Sequence, residues 1–509
     1  MEIGKTRSAP PRASGTIEAL RGLGYTTETA LADLIDNSIA AGAKSVSIDF
    51  HWLQGDSWVS LLDDGIGMSD AELDRAMRLA EISPVLARDP SDLGRFGMGL
   101  KTASFSQARR LTVASRKDGA SSCLRWDLDF LAKEADGNWY LLEGPAEGSQ
   151  ERLEPLQRLD HGTLVLWEVL DRIVPTGYGE NDFLDLIDRV ERHLSMVFHR
   201  FLDGSGPSID LRINGRSIEP WDPFLSWHSA TWRSPEVSIG AARWLIRAQG
   251  FVLPHKDRLS EREYEDAGGP RGWFSQQGFY VYRARRLLVA GSWLGLGRGR
   301  SWTSDESHRL ARIRLDMPNA FDADWKIDIR KSTAHPPVGV REQLTKLAED
   351  VRARARRVFV HRAHTNTSLG RDASVAPAWL SEEGSSGRRY RVNRSHPAVA
   401  SLLSEAGGTV RQVEAMLRVL EETIPVQRIW LDTAESGEQP EGGFAGEPDS
   451  TVIEVLNACY RNLVVKKGVE PDAARRQLLA TEPFDLYPRL VSMLPDELSD
   501  LGLSSSEVQ

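Results

Sequence analysis

The sequence predicts a multi-domain α/β protein, and three observations support this prediction. The chain has 509 residues, which corresponds to about three domains at roughly 150 residues each. Forty per cent of the residues are hydrophobic and 27% are charged, so large cores can be buried. Residues 16–200 alternate helical and strand-like patterns, as expected when helices pack against a sheet.

The composition argues against several classes of protein. Two cysteines, Cys123 and Cys459, are too few for a disulfide framework or a four-cysteine zinc site, and they fit a reducing cytosol. The first residues lack the apolar segment of a secretory signal, and no run of about 18 apolar residues predicts a membrane span. We therefore expect a cytoplasmic protein that does not bind membranes. The net charge of −10 argues against a chain that coats nucleic acid along its whole surface, but it does not exclude a local basic patch.

Changes in composition divide the chain into six segments. In order, they are a flexible arm at 1–15, an α/β domain at 16–200, a strand-rich domain at 205–345, a helical region with basic segments at 346–432, a linker at 433–450 and a helical region at 451–509. Three segments with strand-like patterns mark the strand-rich domain: SIDLRIN at 208–214, GFYVYRARRLLV at 278–289 and ARIRLDM at 311–317. The polar stretch at 381–397 predicts a break in the helical region.

The first informative element is a helix predicted over residues 26–43, TTETALADLIDNSIAAGA. Thr26 or Thr27 can cap it, and its apolar residues form one stripe. Three elements follow: a strand KSVSIDF at 44–50, a strand WVSLLDD at 58–64, and a helix that begins with a capping box between Ser69 and Glu72.

Asp33 and Asn37 stand four residues apart on the first helix and therefore project from one face. An asparagine amide oxygen is a hard ligand suited to Mg²⁺, which keeps several waters and bridges phosphates. A carboxylate one turn earlier is suited to orient or deprotonate an attacking water. Taken alone, such a pair is more typical of a solvated helix face.

Two glycine-rich segments add to this pair. In Asp63-Asp64-Gly65-Ile66-Gly67, the first aspartate can accept a hydrogen bond from an exocyclic amine such as that of adenine, and the glycines leave room for a purine. Gly94-Arg-Phe-Gly97-Met-Gly99-Leu-Lys101 opens a helix whose N–H groups suit phosphates. Leu100 separates the last glycine from Lys101, so this is not a P-loop. Each segment alone is an ordinary turn or loop, but together they favour a nucleoside triphosphate site.

The order of these segments resembles the ATPase module of the GHKL superfamily, which includes gyrase B subunits, heat-shock chaperones, sensor kinases and MutL-type repair proteins. ALADLIDNSIAAGA and GRFGMGLKTAS look similar to MORC-like and MutL-like proteins of bacteria. The resemblance implies an N-terminal GHKL (Bergerat) ATP-binding fold at 16–200, a transducer-like α/β domain at 205–345 and a helical C-terminal region. It also implies ATP and Mg²⁺ as cofactors.

The resemblance further implies a set of site residues. The catalytic residues would be Asp33 and Lys331, and Asn37 would be the metal ligand. The ATP-binding residues would be Asn37, Asp63, Gly65, Gly67, Met68, Gly94, Gly97, Met98, Gly99, Leu100, Lys101 and Thr163, the last of these following His161 and Gly162.

The assignment of Asp33 departs from the family pattern, and the assignment of Lys331 leaves an alternative. The family usually has glutamate where this chain has Asp33, and the missing methylene retracts the carboxylate by roughly 1.5 Å. Because such a shift can cost about a hundredfold in rate, slow hydrolysis is expected. Lys331 would be the lysine that senses the γ-phosphate, with Lys326 as the alternative.

Basic residues concentrate in the segments 283–300 and 352–357, with Tyr280, Tyr282, Trp293 and Trp302 nearby. Arginines on phosphates and aromatic rings for stacking would suit DNA. The alternative is that 352–357 is only the charged face of a helix. The resemblance also implies a homodimer, permits a role in genome maintenance or phage defence, and leaves room for partner proteins encoded in the same operon.

The sequence therefore favours an ATP-hydrolysing conformational switch that dimerises when ATP binds. Two alternatives stay open. One is a nucleotide-binding interaction protein with little turnover, and the other is a chaperone-type ATPase that acts on protein clients.

Overall fold

The computed structural model describes residues 11–79, 99–134, 136–240, 245–318, 325–326, 333–360, 376–384, 387–425 and 450–495. They belong to two compact units, Met1–Arg362 and Ala363–Gln509. None of the helices in the described ranges has the length and apolar character that crossing a membrane requires.

The first unit begins with helices packed against an eight-stranded mixed sheet. The strands are β1 (Ser45–His51), β2 (Trp58–Asp63), β3 (Arg110–Lys117), β4 (Ala120–Asp127), β5 (Leu142–Glu143), β6 (Gly162–Glu168), β7 (Asp210–Ile213) and β8 (Arg216–Ser217). Their order across the sheet is β5-β4-β3-β6-β2-β1-β7-β8. β1 pairs with β7 in parallel, while β2 lies antiparallel to both β1 and β6. β2 and β6 therefore lie in the middle of the sheet.

Helices pack on both faces of this sheet. They are α1 (Ala13–Arg21), α2 (Thr27–Ala40), α3 (Asp70–Met77), α4 (Gly99–Phe105), α5 (Leu128–Lys133), α6 (Glu154–Gln157), α7 (Glu180–Val197) and α8 (His199–Leu202). Burial alternates along β1, so that Val46, Ile48 and Phe50 join the core that contains Leu31 and Ile35 of α2. The prediction of an N-terminal α/β sandwich is confirmed.

The predicted caps form in this layer. The side chain of Thr26 accepts a hydrogen bond from the N–H of Thr29 and so begins α2. The capping box between Ser69 and Glu72 begins α3, with the Ser69 N–H donating to Glu72 Oε2 at 2.7 Å. Local signals thus fix where both helices start.

A second, six-stranded sheet completes the first unit. Its elements are β9 (Trp232–Arg233), β10 (Val237–Ile239), β11 (Ile246–Val252), α9 (Glu261–Gly268), α10 (Gly272–Ser275), β12 (Gly278–Arg283), β13 (Arg286–Ser292), β14 (Ala311–Met317) and α11 (Val338–Val360). The order is β10-β11-β14-β12-β13, and β9 also pairs with β11. Val340, Leu344 and Ala348 of α11 pack on the core of this sheet.

The strand-like segment at 278–289 forms two antiparallel strands that are joined as a hairpin. Ala284 and Arg285 have positive φ values of 44° and 73°, which turn the chain between β12 and β13. The run at 311–317 does form one strand, β14.

The second unit contains a hairpin and several helices. Its strands are Trp379–Gly384 and Gly387–Val392, and its helices are Pro397–Glu405, Val410–Glu422, Ser450–Arg461, Pro471–Leu479 and Pro488–Ser492. The stretch at 381–397, predicted as a break, therefore contributes to a paired hairpin. The predicted linker at 433–450 lies outside the described residues apart from Ser450.

Candidate functional site

Helix α2 presents two of the predicted site residues one turn apart. Asp33 is 6% exposed, and its Oδ2 accepts a hydrogen bond from the Tyr25 hydroxyl at 3.0 Å. Asn37 lies one turn later with its side chain exposed. One helix therefore offers a held carboxylate and an accessible amide toward the same side, as the spacing predicts.

Asp63 lies at the end of β2 and is 5% exposed. The Ser38 hydroxyl donates to its Oδ2 at 2.8 Å, and the Gly65 N–H donates to its Oδ1 at 3.0 Å. Burial raises the pKa of the Asp63 carboxyl, while these hydrogen bonds and a backbone contact from Thr163 act in the opposite direction. The result is a buried acceptor fixed between α2 and the middle of the sheet.

The turn after Asp63 is closely packed on protein backbone. A Cβ atom on Gly65 would lie 2.8 Å from the Cβ of Ala41. Gly67 has a φ of +69°, and a Cβ there would lie 1.9 Å from the carbonyl oxygen of Arg116. Only glycine fits at Gly67, because both the backbone conformation and the neighbouring strand exclude a side chain.

Replacing Gly67 with alanine should lower the free energy of unfolding by more than about 2 kcal/mol. The left-handed conformation alone costs an L-residue roughly 1–2 kcal/mol, and the clash with Arg116 adds to that cost. Gly119→Ala is the matched control: its φ is +80°, and no heavy atom of the described residues lies within 4 Å of its Cβ position. Chemical denaturation measures both variants, and equal losses would contradict the steric argument.

Ser115 connects the segments of the site, although no motif in the sequence points to it. The N–H of Met68 donates to its Oγ at 2.8 Å, and that Oγ donates to the carbonyl of Gly162 at 2.9 Å. The hydroxyl of Thr163 lies 2.9 Å away. Ser115 is fully buried on β3, directly opposite Thr163 on β6. A serine that follows the short run LTVA in β3, RLTVASRK, is the signal that could have identified it.

His161, which directly precedes β6, also contacts the glycine turn that follows Asp63. Its Nδ1 lies 2.7 Å from the carbonyl oxygen of Gly65. The segment from His161 to Thr163 therefore supports the turn and Asp63 together, which agrees with its predicted place beside the other segments.

The glycine-rich segment is described only in part. Gly94, Gly97 and Met98 lie outside the described residues, while Gly99 begins α4. A Cβ on Gly99 would lie 3.6 Å from Asp33 Oδ2, so the start of α4 adjoins the carboxylate on α2. Leu100 follows, half-buried.

Lys101 is buried rather than open to solvent. Its Nζ donates to the carbonyl oxygen of Ala76 at 2.8 Å, and burial lowers the pKa of its ammonium to about 8. A contact with phosphate remains a prediction for this residue. Lys331 lies outside the described residues, and its competitor Lys326 is exposed.

The aromatic residues predicted to stack on nucleic acid belong to the protein core. Tyr280 and Tyr282 are fully buried, and Trp293 is 4% exposed. The Arg352 guanidinium lies 4.5 Å from the centre of the Trp293 ring and 4.8 Å from that of Trp302. These rings pack on one another and on an arginine, so the interpretation of a stacking groove is wrong.

The basic segments divide into buried and exposed arginines. Arg283 and Arg286 are each 4% exposed, because the hairpin turns them into the protein. The exposed arginines of the two segments are Arg298, Arg300, Arg354, Arg356 and Arg357. Arg298 is paired with Glu349 at 2.6 Å. Any contact with DNA would therefore rest on the segment 352–357 and on Arg300.

The side chains present fit ATP and a magnesium ion that phosphates help to bind. Among the described residues, no group of three or more His, Cys, Asp or Glu side chains could hold a metal. The exposed amide of Asn37 offers one oxygen ligand, which is the sparse protein contribution that Mg²⁺ takes when phosphates complete its shell. The buried Asp63 acceptor suits an amine of the base.

The part of the chain that contains this site is similar to known proteins. The family described as histidine kinase-, DNA gyrase B-, and HSP90-like ATPase matches residues 25–163. ATPase morc-1 of Caenorhabditis elegans is 33% identical over 96 residues, which are 19% of this chain and 11% of that protein. MORC family CW-type zinc finger protein 1 of Mus musculus is 32% identical over 108 residues, or 21% and 11% of the two chains.

ATPase MORC2B of Mus musculus is 25% identical over 195 residues, which are 37% of this chain and 19% of that protein. The matched regions thus span between 11% and 19% of the length of these relatives. The match includes α2, the glycine turn and the start of β6, which are the elements that form the site. Residues 25–163 therefore match the ATPase domain of the GHKL superfamily, and this part of the chain is similar to the MORC ATPases.

Proposed function

We propose that this protein binds ATP with magnesium in the nucleotide pocket, the space between α2 and the turn from Asp63 to Met68, and that it hydrolyses ATP slowly. The buried carboxylate of Asp63 is the main support. It ends a central strand beside a turn that contains Gly65 and Gly67, and its two oxygens are held by Ser38 and Gly65. A fixed acceptor at such a place suits the exocyclic amine of adenine.

The residues of α2 would carry the chemistry. Asn37 would hold magnesium through its amide oxygen, and Asp33 would accept the proton of the attacking water. When bound, magnesium supplies charge that stabilises the phosphate oxygens in the transition state. The hydroxyl of Tyr25 keeps the Asp33 carboxylate in one orientation through the hydrogen bond at 3.0 Å.

The remaining predicted contacts belong to the same proposal. Backbone groups of Gly94, Gly97, Met98, Gly99 and Leu100, with the ammonium of Lys101, would bind the triphosphate. Thr163, Gly65, Gly67 and Met68 would line the base. Lys331 would sense the γ-phosphate from the second domain, with Lys326 as the alternative.

We infer that ATP binding drives a switch between open and dimeric states. In this role two cytoplasmic chains would close on each other and act on DNA, in genome maintenance or defence against phage. The exposed arginines of 352–357 favour contacts with phosphates, and Arg354 also lies over the Trp232 ring at 4.3 Å. Partner proteins encoded in the same operon would fit this role.

We expect a non-hydrolysable ATP analogue with magnesium to convert monomer to dimer in analytical ultracentrifugation. A shift from 1% to 99% closed state requires that the nucleotide bind the closed state about 10⁴-fold more tightly. ADP with magnesium is the matched control, because it lacks only the γ-phosphate. Calorimetry that detects magnesium-dependent binding without a change in dimer fraction would contradict the switch alone. The absence of magnesium-dependent binding would contradict the whole proposal.

A second candidate is a nucleotide-binding interaction protein with little turnover. The observation that favours it is the aspartate at position 33, which is buried and one methylene shorter than the glutamate expected there. Binding and dimerisation would then be the function, and hydrolysis would be incidental.

A further inference from the structure

A buried ion pair joins α2 to the second sheet. The Nε of Arg286, at the start of β13, lies 3.1 Å from both carboxylate oxygens of Asp36. Asp36 is 1% exposed and Arg286 is 4% exposed. The two residues are 250 positions apart in sequence. The pair is therefore a long-range contact between the ATPase domain and the sheet that follows it.

Arg286 is held on several sides, so its charge has a fixed position. One terminal nitrogen donates to the carbonyl oxygen of Leu287 at 2.8 Å. Its guanidinium lies 5.8 Å from the centre of the Phe198 ring, at the junction of α7 and α8. A buried guanidinium with this many contacts cannot swing to solvent without leaving the charge of Asp36 buried. A movement of β13 would therefore displace Asp36, and a movement of α2 would displace Arg286.

Asp36 occupies an informative position on α2. It directly precedes Asn37, the proposed magnesium ligand, and it points to a different side of the helix because successive residues are about 100° apart. The exposed amide and the buried carboxylate thus share one turn but face opposite environments. At the previous turn, Tyr25 holds Asp33 within the ATPase domain itself. These two polar contacts of α2 therefore lead to different parts of the first unit.

We propose that Arg286 is a positioning residue for the nucleotide pocket: through Asp36 it sets the turn of α2 that presents Asn37, so that the second sheet controls how well magnesium is held. This inference rests on the proposed function, since it assigns a second-domain residue to the metal step of that site. Outer-shell partners of metal ligands commonly affect metal affinity by 10–100-fold. From the sequence alone, Arg286 belongs to the basic cluster RARR, for which contact with DNA was the prediction.

The test compares nucleotide affinity with and without magnesium. Calorimetry with a non-hydrolysable ATP analogue gives two dissociation constants, and their ratio is the magnesium enhancement. We expect Arg286→Lys, which keeps the charge but lacks the planar fork, to reduce this enhancement about tenfold. The affinity without magnesium should change less than about threefold, because Asp63 and the glycine turn are untouched.

Arg21→Lys is the matched control. Arg21 lies on α1, is 3% exposed and forms hydrogen bonds with Asp171, which is not part of α2, at 2.6 and 2.7 Å. We expect it to lower the thermal midpoint while leaving the magnesium enhancement at its wild-type value. A similar loss of enhancement in Arg21→Lys would show that general destabilisation is responsible, and it would overturn the proposal.

Asp36→Asn provides a second route to the same answer if Arg286→Lys does not fold. It keeps the shape of the side chain, and it should reduce the magnesium enhancement to a similar extent. The double variant should lose no more than either single variant, since both remove one interaction. Wild-type enhancement in a folded Arg286→Lys or Asp36→Asn protein would overturn this inference alone. A wild-type protein without magnesium enhancement would overturn the proposed function as well.

Discussion

Replacing Asp63 with asparagine should weaken the binding of magnesium-ATP by about a hundredfold while the protein stays folded. Asparagine keeps one acceptor oxygen, which can still take the N–H of Gly65, and it presents an NH₂ group to Ser38. The Ser38 hydroxyl can accept from that group and donate to the Leu34 carbonyl oxygen, which is 3.4 Å away. The internal contacts can therefore be satisfied, but the base loses a charged acceptor and meets a donor.

Asp64→Asn is the matched control for this variant. Asp64 is the next residue, and one of its oxygens, Oδ1, accepts from the N–H groups of Lys44 and Ser45 at 2.7 and 2.9 Å. An asparagine can keep both bonds, so ATP affinity should stay within about threefold of wild type. Isothermal titration calorimetry measures both variants. Equal affinities would exclude Asp63 as the residue that contacts the base.

Measuring the ATP affinity of the same three proteins at lower pH separates the effect of the Asp63 charge from that of its shape. Because burial raises the pKa of Asp63, its carboxylate gains a proton at a higher pH than an ordinary aspartate does. Wild type and Asp64→Asn should therefore lose affinity as the pH falls through that raised pKa. Asp63→Asn has no such group and should lack this part of the decline, whereas the titration of ATP itself affects all three proteins.

The local elements of the nucleotide pocket could be predicted because their signals lie within a few residues. The helix predicted over 26–43 is present at Thr27–Ala40, and the strands predicted at 44–50 and 58–64 are present at Ser45–His51 and Trp58–Asp63. Helical spacing alone places Asp33 and Asn37 on one side. None of these conclusions required knowledge of which strands pair.

Residues whose role depends on strand pairing could not be predicted in this way. Ser115 meets Thr163, 48 positions later, only because β3 and β6 are neighbours in one register. The cluster RARR looked like an exposed basic patch, but the turn at Ala284 and Arg285 sends its flanking arginines into the protein. Charge pattern does not reveal burial when the neutralising carboxylate comes from a distant helix.

Replacing Asp33 with asparagine should lower ATP turnover by about 10²–10⁴-fold and leave the affinity for magnesium-ATP within about threefold. The change preserves shape, and the Tyr25 hydroxyl can still donate to the amide oxygen, so α2 should keep its position. Phosphate release under saturating ATP measures turnover, and calorimetry measures binding. Equal turnover in wild type and Asp33→Asn would mean that Asp33 is not the base, and it would favour the interaction protein.

Asp33→Glu then separates the effect of reach from that of orientation. The added methylene advances the carboxylate by roughly 1.5 Å, and turnover should rise by up to about a hundredfold if short reach limits the wild type. Tyr25→Phe is the companion variant: it should slow wild type, whose carboxylate depends on that hydroxyl at 3.0 Å, more than it slows Asp33→Glu. Equal slowing in both backgrounds would show that Tyr25 acts on the fold rather than on the carboxylate. An Asp33→Glu protein slower than wild type would mean that the surroundings of α2 are fitted to aspartate, because an extra methylene in a packed site costs about 1–3 kcal/mol.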